Sequence, residues 1–119
     1  MVEKFLQYLD LEKRYSHHTL KSYRTDLDQL QVYLNEFYDE EKLESISHPI
    51  LRSWIASLKE KNSSPRTINR KISAVKSFFK WGRKFEYLLA DPSQKISVLK
   101  TPKPLPNYVE ENQMEALKT

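Results

Sequence analysis

One glycine, Gly82, stands in a chain of 119 residues, and that scarcity narrows the folds open to it. A phosphate-cradling loop or a dinucleotide-binding turn needs several glycines at fixed offsets, because only a residue without Cβ lets the backbone turn that tightly and approach a ligand that closely. Hairpin turns that demand positive φ are poorly supplied for the same reason. Helices joined by Ser, Pro and Asn turns match the composition best. Cysteine is absent, so there is no disulfide framework and no thiolate metal site, which fits a reducing compartment. The length supports a single core without staples. No apolar run is long enough to span a membrane, and the first residues show no secretory signal. The expectation is a cytoplasmic protein without membrane association.

Apolar spacing predicts four main helices and an all-α fold. Val2, Phe5, Leu6 and Leu9 recur at three- and four-residue steps and predict a helix over 2–13. Leu20, Tyr23, Leu27, Leu30, Leu34 and Phe37 form one long stripe over 17–38, with Ser16 placed as its N-cap. Pro49 suits the first helical position of a third helix over 49–61, whose buried side is Leu51, Trp54, Ile55 and Leu58. Asn62-Ser63 is the turn. Ser64 and Pro65 then open a fourth helix, with Ile68, Ile72, Val75 and Phe79 as its core stripe, to about residue 81. Gly82 reads as a weak point or bend, followed by a short continuation carrying Phe85 and Leu88. Beyond Asp91 the character changes: Pro92, Pro102, Pro104 and Pro106 mark an extended spacer, because proline blocks helix and favours polyproline II. Val109–Leu117 has the pattern of another helix. The expected organisation is a helical domain over 1–90, a proline-rich linker over 91–107, and the start of a second domain over 108–119.

Charge divides the chain. Residues 1–46 carry six Lys/Arg against ten Asp/Glu, whereas 47–119 carry fourteen against six. Within 59–84 there are nine basic residues and one acid, Glu60. Such a local excess points to a polyanion partner, set against the plainer reading of a solvated face. Projected at about 100° per residue, Arg66, Arg70, Ser73, Ser77 and Lys80 fall together, opposite Ile68, Ile72, Val75 and Phe79. Small hydroxyls between cations let a helix approach a phosphate backbone closely, and Arg reaches phosphates or guanine edges bidentately. Ser64 and Thr67 stand at the helix start, where free N–H groups and the dipole favour anions. Lys76 lies one turn or more inside the helix and, with Arg70, is the expected reader of base edges. The second helix repeats the theme: His18, Thr19, Lys21, Ser22 and Thr25 crowd its beginning, mostly away from the leucine stripe. The expectation is that the starts of these two helices sit side by side against duplex DNA.

Other residues are read as structural. His17 and His18 point to different helix faces and have no third ligand, so no metal site is assigned, and no cofactor is called for. Trp54 belongs with the core, and Trp81 is left between core and surface. Asp26 and Asp28 are placed on an acidic surface helix with no pocket. No residue is assigned a catalytic role.

The segment Ser16-His-His-Thr-Leu-Lys-Ser-Tyr-Arg-Thr-Asp-Leu27 resembles the first signature of the N-terminal core-binding domain of the Xer/phage-integrase tyrosine recombinases, and Ser64-Pro-Arg-Thr-Ile-Asn-Arg-Lys-Ile-Ser-Ala-Val-Lys-Ser-Phe-Phe79 resembles its second. Leu105-Pro-Asn-Tyr-Val is similar to the lead-in to the family's catalytic domain. The resemblance implies a four- to five-helix, SAM-like bundle with an extended C-terminal linker, which grips one face of double-stranded DNA while a separate catalytic domain grips the other. In the family that second domain supplies two Arg, a Lys, His residues and a nucleophilic Tyr. None carries over here: His17, His18 and His48 lack an Arg three residues on. The implied fragment binds DNA and does not cut it, is monomeric alone, and meets other recombinase protomers through the full-length protein. Two other readings fit the same features: a helix-turn-helix regulator using the Asn62-Ser63 turn, and a helical interaction module whose basic stripe meets an acidic protein.

Overall fold

The structure, a computed structural model, describes residues 1–39 and 42–99. Four helices follow one another: α1 (Val2–Leu11), α2 (His17–Phe37), α3 (His48–Glu60) and α4 (Pro65–Lys84), with a short 3-10 turn at Leu43–Ser45 before α3. Among the described residues there is no strand, and the fold is all-α. The starts of α2 and α4 match the apolar periodicity because their caps lie where the sequence places them. By contrast, α1 stops two residues short of the expected 13, and α4 runs through Gly82 to Lys84, with Phe85 and Leu88 in the turn that follows rather than in a helical continuation. Ser16 Oγ accepts the Thr19 N–H at 3.2 Å, and Ser64 Oγ accepts the Thr67 N–H at 3.1 Å. The third helix starts one residue earlier than Pro49 implies, since Ser47 caps it through the Ile50 N–H.

With only one glycine, the helices end in left-handed residues that carry side chains. Asp39, Asn62 and Glu86 all have φ between 55° and 62°. After α3, Ser63 N–H donates to Leu58 O and Asn62 N–H to Lys59 O; after α4, Tyr87 donates to Gly82 O and Glu86 to Arg83 O. Both are Schellman closures, which ordinarily recruit glycine. Gly82 serves something else. A Cβ there would lie 2.2 Å from Leu88 Cδ1 and 2.5 Å from its Cγ. The glycine does not end α4; it leaves the space into which Leu88 folds back.

α4 is the hub, in contact with α1, α2 and α3. Its buried positions run from Ile68 through Lys71, Ile72, Ala74, Val75, Phe78, Phe79 and Trp81 to Gly82, an arc much wider than a single stripe. Phe5 of α1 fits among the rings of Tyr23, Phe78 and Trp81, with centroids 5.4–5.9 Å away. That places Trp81 in the core. Leu27, Leu30 and Leu34 of α2 are fully buried, but Phe37, expected to continue their stripe, is 61% exposed. Tyr38 takes the inward place instead, and its hydroxyl and that of Tyr33 both hydrogen-bond Ser53 Oγ of α3, at 2.9 and 2.8 Å. Burial pushes the Tyr33 phenol above its ordinary value.

The beginning of the proline-rich stretch is docked on the bundle. Residues 92–95 form turns, Ser93 and Ile96 are buried, and the Asn69 amide pairs with both backbone groups of Leu99, at 3.0 and 2.6 Å. His48 Nδ1 meets Pro92 O at 3.0 Å. The remaining prolines, the Val109–Leu117 pattern and the expected second domain lie outside the described residues.

Candidate nucleic-acid interface

Because α1, α2 and α3 cover so much of α4, only a strip of that helix is left outward. Arg66, Arg70, Ser73 and Lys80 are exposed on it; Lys76 and Ser77 are half-buried at its edges. Arg66, Lys76 and Lys80 have no carboxylate partner among the described residues. Ser64 and Thr67 are tied into the cap, their hydroxyls 3.0 Å apart. On α2 the same arrangement joins Ser16 to Thr19, at 3.1 Å.

A groove of about 310 Å³ between α2 and α4 brings together five of the expected residues: His18, Thr19 and Ser22 from one helix, Arg70 and Ser73 from the other. The remainder are dispersed. Lys21 lies on the side facing α1, in a hollow with Glu3, Asp10 and Arg24. Thr25 is exposed on α2. Ser77 and Lys80 border a second groove with Tyr15, Tyr23 and Lys84. Thr67 borders a third, beside Val32, Tyr33 and Phe37.

This distribution corrects the expectation that the two helix starts adjoin. Thr67 lies near the end of α2, Arg70 pairs with Asp26, and Lys80 lies near Tyr23. Contacts therefore run in opposite sequence directions, and the two N-termini lie at opposite ends of the shared seam. The start of α2 is set against the middle of α4, at Ser73 and Ala74.

A second correction concerns the charges. Asp26, read as a surface acid, is 1% exposed. Arg70 donates to it through Nε at 3.1 Å and Nη2 at 3.0 Å, and Lys71 Nζ donates at 2.9 Å. Lys71 also donates to Gln29 Oε1. Lys71, counted in the basic excess, is thus a buried counter-charge rather than a surface cation. Arg70 stays in the groove but is held by its own fold. A sequence signal for Asp26 exists: it sits three residues after Tyr23 and one before Leu27, on the flank of the apolar stripe, where an acid needs a partner.

A second carboxylate–guanidinium pair joins α1 to α2. Arg24 donates to both oxygens of Glu3, at 2.6 and 2.8 Å, in the open. Its bonds hold the Glu3 carboxyl below its ordinary value, and Glu3 in turn raises Arg24. Among the described residues no cluster of His, Asp or Glu could hold a metal ion, and no helix is long and apolar enough to cross a membrane.

Comparison with known proteins gives one consistent answer. The chain is similar to the tyrosine recombinase XerC of Natranaerobius thermophilus, with 32% identity over 113 residues that cover 95% of this chain and 38% of that protein. It is similar to the XerC of Staphylococcus saprophyticus, at 31% over 115 residues, 97% of this chain and 38% of the relative. The XerC of Oceanobacillus iheyensis matches at 28% over 116 residues, 98% and 38%. The chain therefore spans about two fifths of the length of these relatives. No solved structure matches it. Residues 2–84, all four helices, match the phage integrase N-terminal SAM-like domain, and the chain belongs to that family.

Proposed function

We propose that this domain binds double-stranded DNA as the non-catalytic arm of a site-specific tyrosine recombinase, gripping one face of the recombination site. The observation that carries the reading is the outward strip of α4, where Arg66, Arg70, Lys76 and Lys80 alternate with Ser73 and Ser77 over a fully buried opposite face. A solvated surface helix would mix signs; here no acid lies between Glu60 and Glu86. Thr67, Thr25 and the His18–Ser22 turn of α2 flank the strip and complete the proposed footprint, with Lys21 at its edge. In this reading residues 91–107 lead to the catalytic domain, cleavage chemistry lies wholly there, and contacts between protomers form through the full-length protein.

Phosphate contacts release counterions, so affinity falls by about 0.9 log unit per log unit of salt for each contact. A single arm of a clamp binds in the micromolar range at moderate salt. The test is an anisotropy titration of a labelled duplex with the parent chain and with Arg66→Ala and Lys80→Ala. Each substitution is expected to weaken binding and flatten the salt dependence while leaving thermal melting unchanged. Parent-like binding by both at low salt would reject the reading and return the strip to a solvated face.

A further inference from the structure

Arg70 is not a freely moving cation. Asp26 takes its Nε and Nη2 donors, which occupies the side edge of the planar guanidinium. The end edge, Nη1 with the remaining N–H of Nη2, makes no hydrogen bond among the described residues. A guanidinium presents five donors in a rigid fork, so fixing one edge aims the other. Asp26 is 1% exposed while the Arg70 side chain is 53% exposed. A buried carboxylate thus fixes a half-exposed fork that borders the groove shared by His18, Thr19, Ser22 and Ser73 and, on its other side, the one beside Val32, Tyr33 and Thr67. The hydroxyls of Ser22 and Ser73 have no partner among the described residues.

The charges are balanced for this purpose. An Asp–Arg pair alone is neutral and has no net pull on an anion. Lys71 contacts the same Asp26 oxygen as Arg70 Nη2 and is itself buried. The trio carries one net positive charge, and its only exposed cation is Arg70.

We infer that the end edge of Arg70, with the hydroxyls of Ser22 and Ser73, seats a single DNA backbone phosphate, and that Asp26 and Lys71 are the positioning residues that aim and charge it. The inference rests on the DNA-binding reading above. A phosphate offers acceptors in several directions to donors arriving from two helices, whereas a guanine edge offers two in one plane. Asp26 makes a prediction of unusual sign. Removing an acid from a DNA-binding surface raises its positive potential and by itself strengthens binding. If Asp26 aims Arg70, removing it weakens binding instead.

The test titrates the 119-residue chain against a labelled duplex over a range of salt. Arg70→Ala is expected to weaken binding about tenfold at low salt and to reduce the salt slope by about 0.9, the share of one phosphate. Asp26→Asn is expected to weaken binding about threefold in the parent, on the scale of a charge-assisted hydrogen bond lost in part, and not at all in the Arg70→Ala background. Where Asp26→Asn alone melts too low, Asp26→Asn with Lys71→Met keeps the local charge and carries the same expectation. Tighter binding by either Asp26 variant overturns the positioning role. An Arg70→Ala loss with an unchanged salt slope overturns the phosphate assignment in favour of a base edge. If Arg66→Ala and Lys80→Ala bind normally as well, it is the DNA reading that fails.

Discussion

Two seams of this bundle are joined by the same chemistry in opposite surroundings. Between α1 and α2, Arg24 forks onto Glu3 at the surface, where the carboxylate stays open to water. Between α2 and α4, Arg70 forks onto Asp26, whose carboxylate is sealed from water and shared with a buried Lys71. An exposed pair adds little, because water and salt screen it and two long side chains must be ordered to make it. A buried pair is held in place by the cost of leaving either partner alone. The contrast teaches that the α2–α4 seam is specified by charge as well as by packing. A shift of α4 along α2 would strand Asp26 and Lys71 in the core.

The largest expected break in this comparison is Asp26→Ala, which leaves Lys71 buried without a counter-charge. It should lower unfolding free energy by about 3–5 kcal/mol, measured by urea denaturation. A loss below about 1 kcal/mol would mean that water reaches Lys71 freely and the seams are alike. Next comes Gly82→Ala, an apolar disturbance at the far end of α4. Alanine gains about 1 kcal/mol of helix propensity, but expelling Leu88 loses about 1.5–3 kcal/mol of burial. A net loss of about 0.5–2 kcal/mol is expected, and any stabilisation would show that Leu88 finds another seat. Smaller still is Asp26→Leu with Lys71→Met, which replaces the buried charges by apolar groups of similar size. Stability should stay within about 1 kcal/mol of the parent or exceed it. If the doubly substituted chain is as crippled as Asp26→Ala, packing rather than charge was at stake. The smallest effect belongs to Glu3→Gln, which should leave the urea midpoint unmoved. Glu3 has its carboxyl held below the ordinary 4.5. Its contribution is therefore present above that value and is lost as pH falls through the lower, folded value. Salt should erase what there is of it, while leaving the Asp26 seam intact.

Sequence patterns located the helices because their causes are local. Ser16 and Ser64 cap through bonds made within three residues, and the Ile68-Ile72-Val75-Phe79 stripe follows from helical period alone. The outward strip of α4 was legible on the same grounds, since any residue opposite such a stripe faces away from the core. Phe37 shows where the pattern stops informing. It keeps the spacing of the α2 stripe, yet the neighbouring elements leave Tyr38, not Phe37, with a partner in α3.

What the amino-acid sequence determined by itself is the all-α class, the caps, the core stripes and the one-sided basic surface of α4. Each depends on residues no more than a turn or two apart. Only the tertiary structure decided which way α2 runs against α4, that Asp26 is buried between Arg70 and Lys71, and that Gly82 makes room for Leu88. It also decided that Asn69 clasps Leu99. These are facts about which surfaces meet, and Asp26 lies 44 residues from Arg70 and 45 from Lys71. A carboxylate reads as surface-exposed until a neighbouring helix brings the two cations that allow its burial.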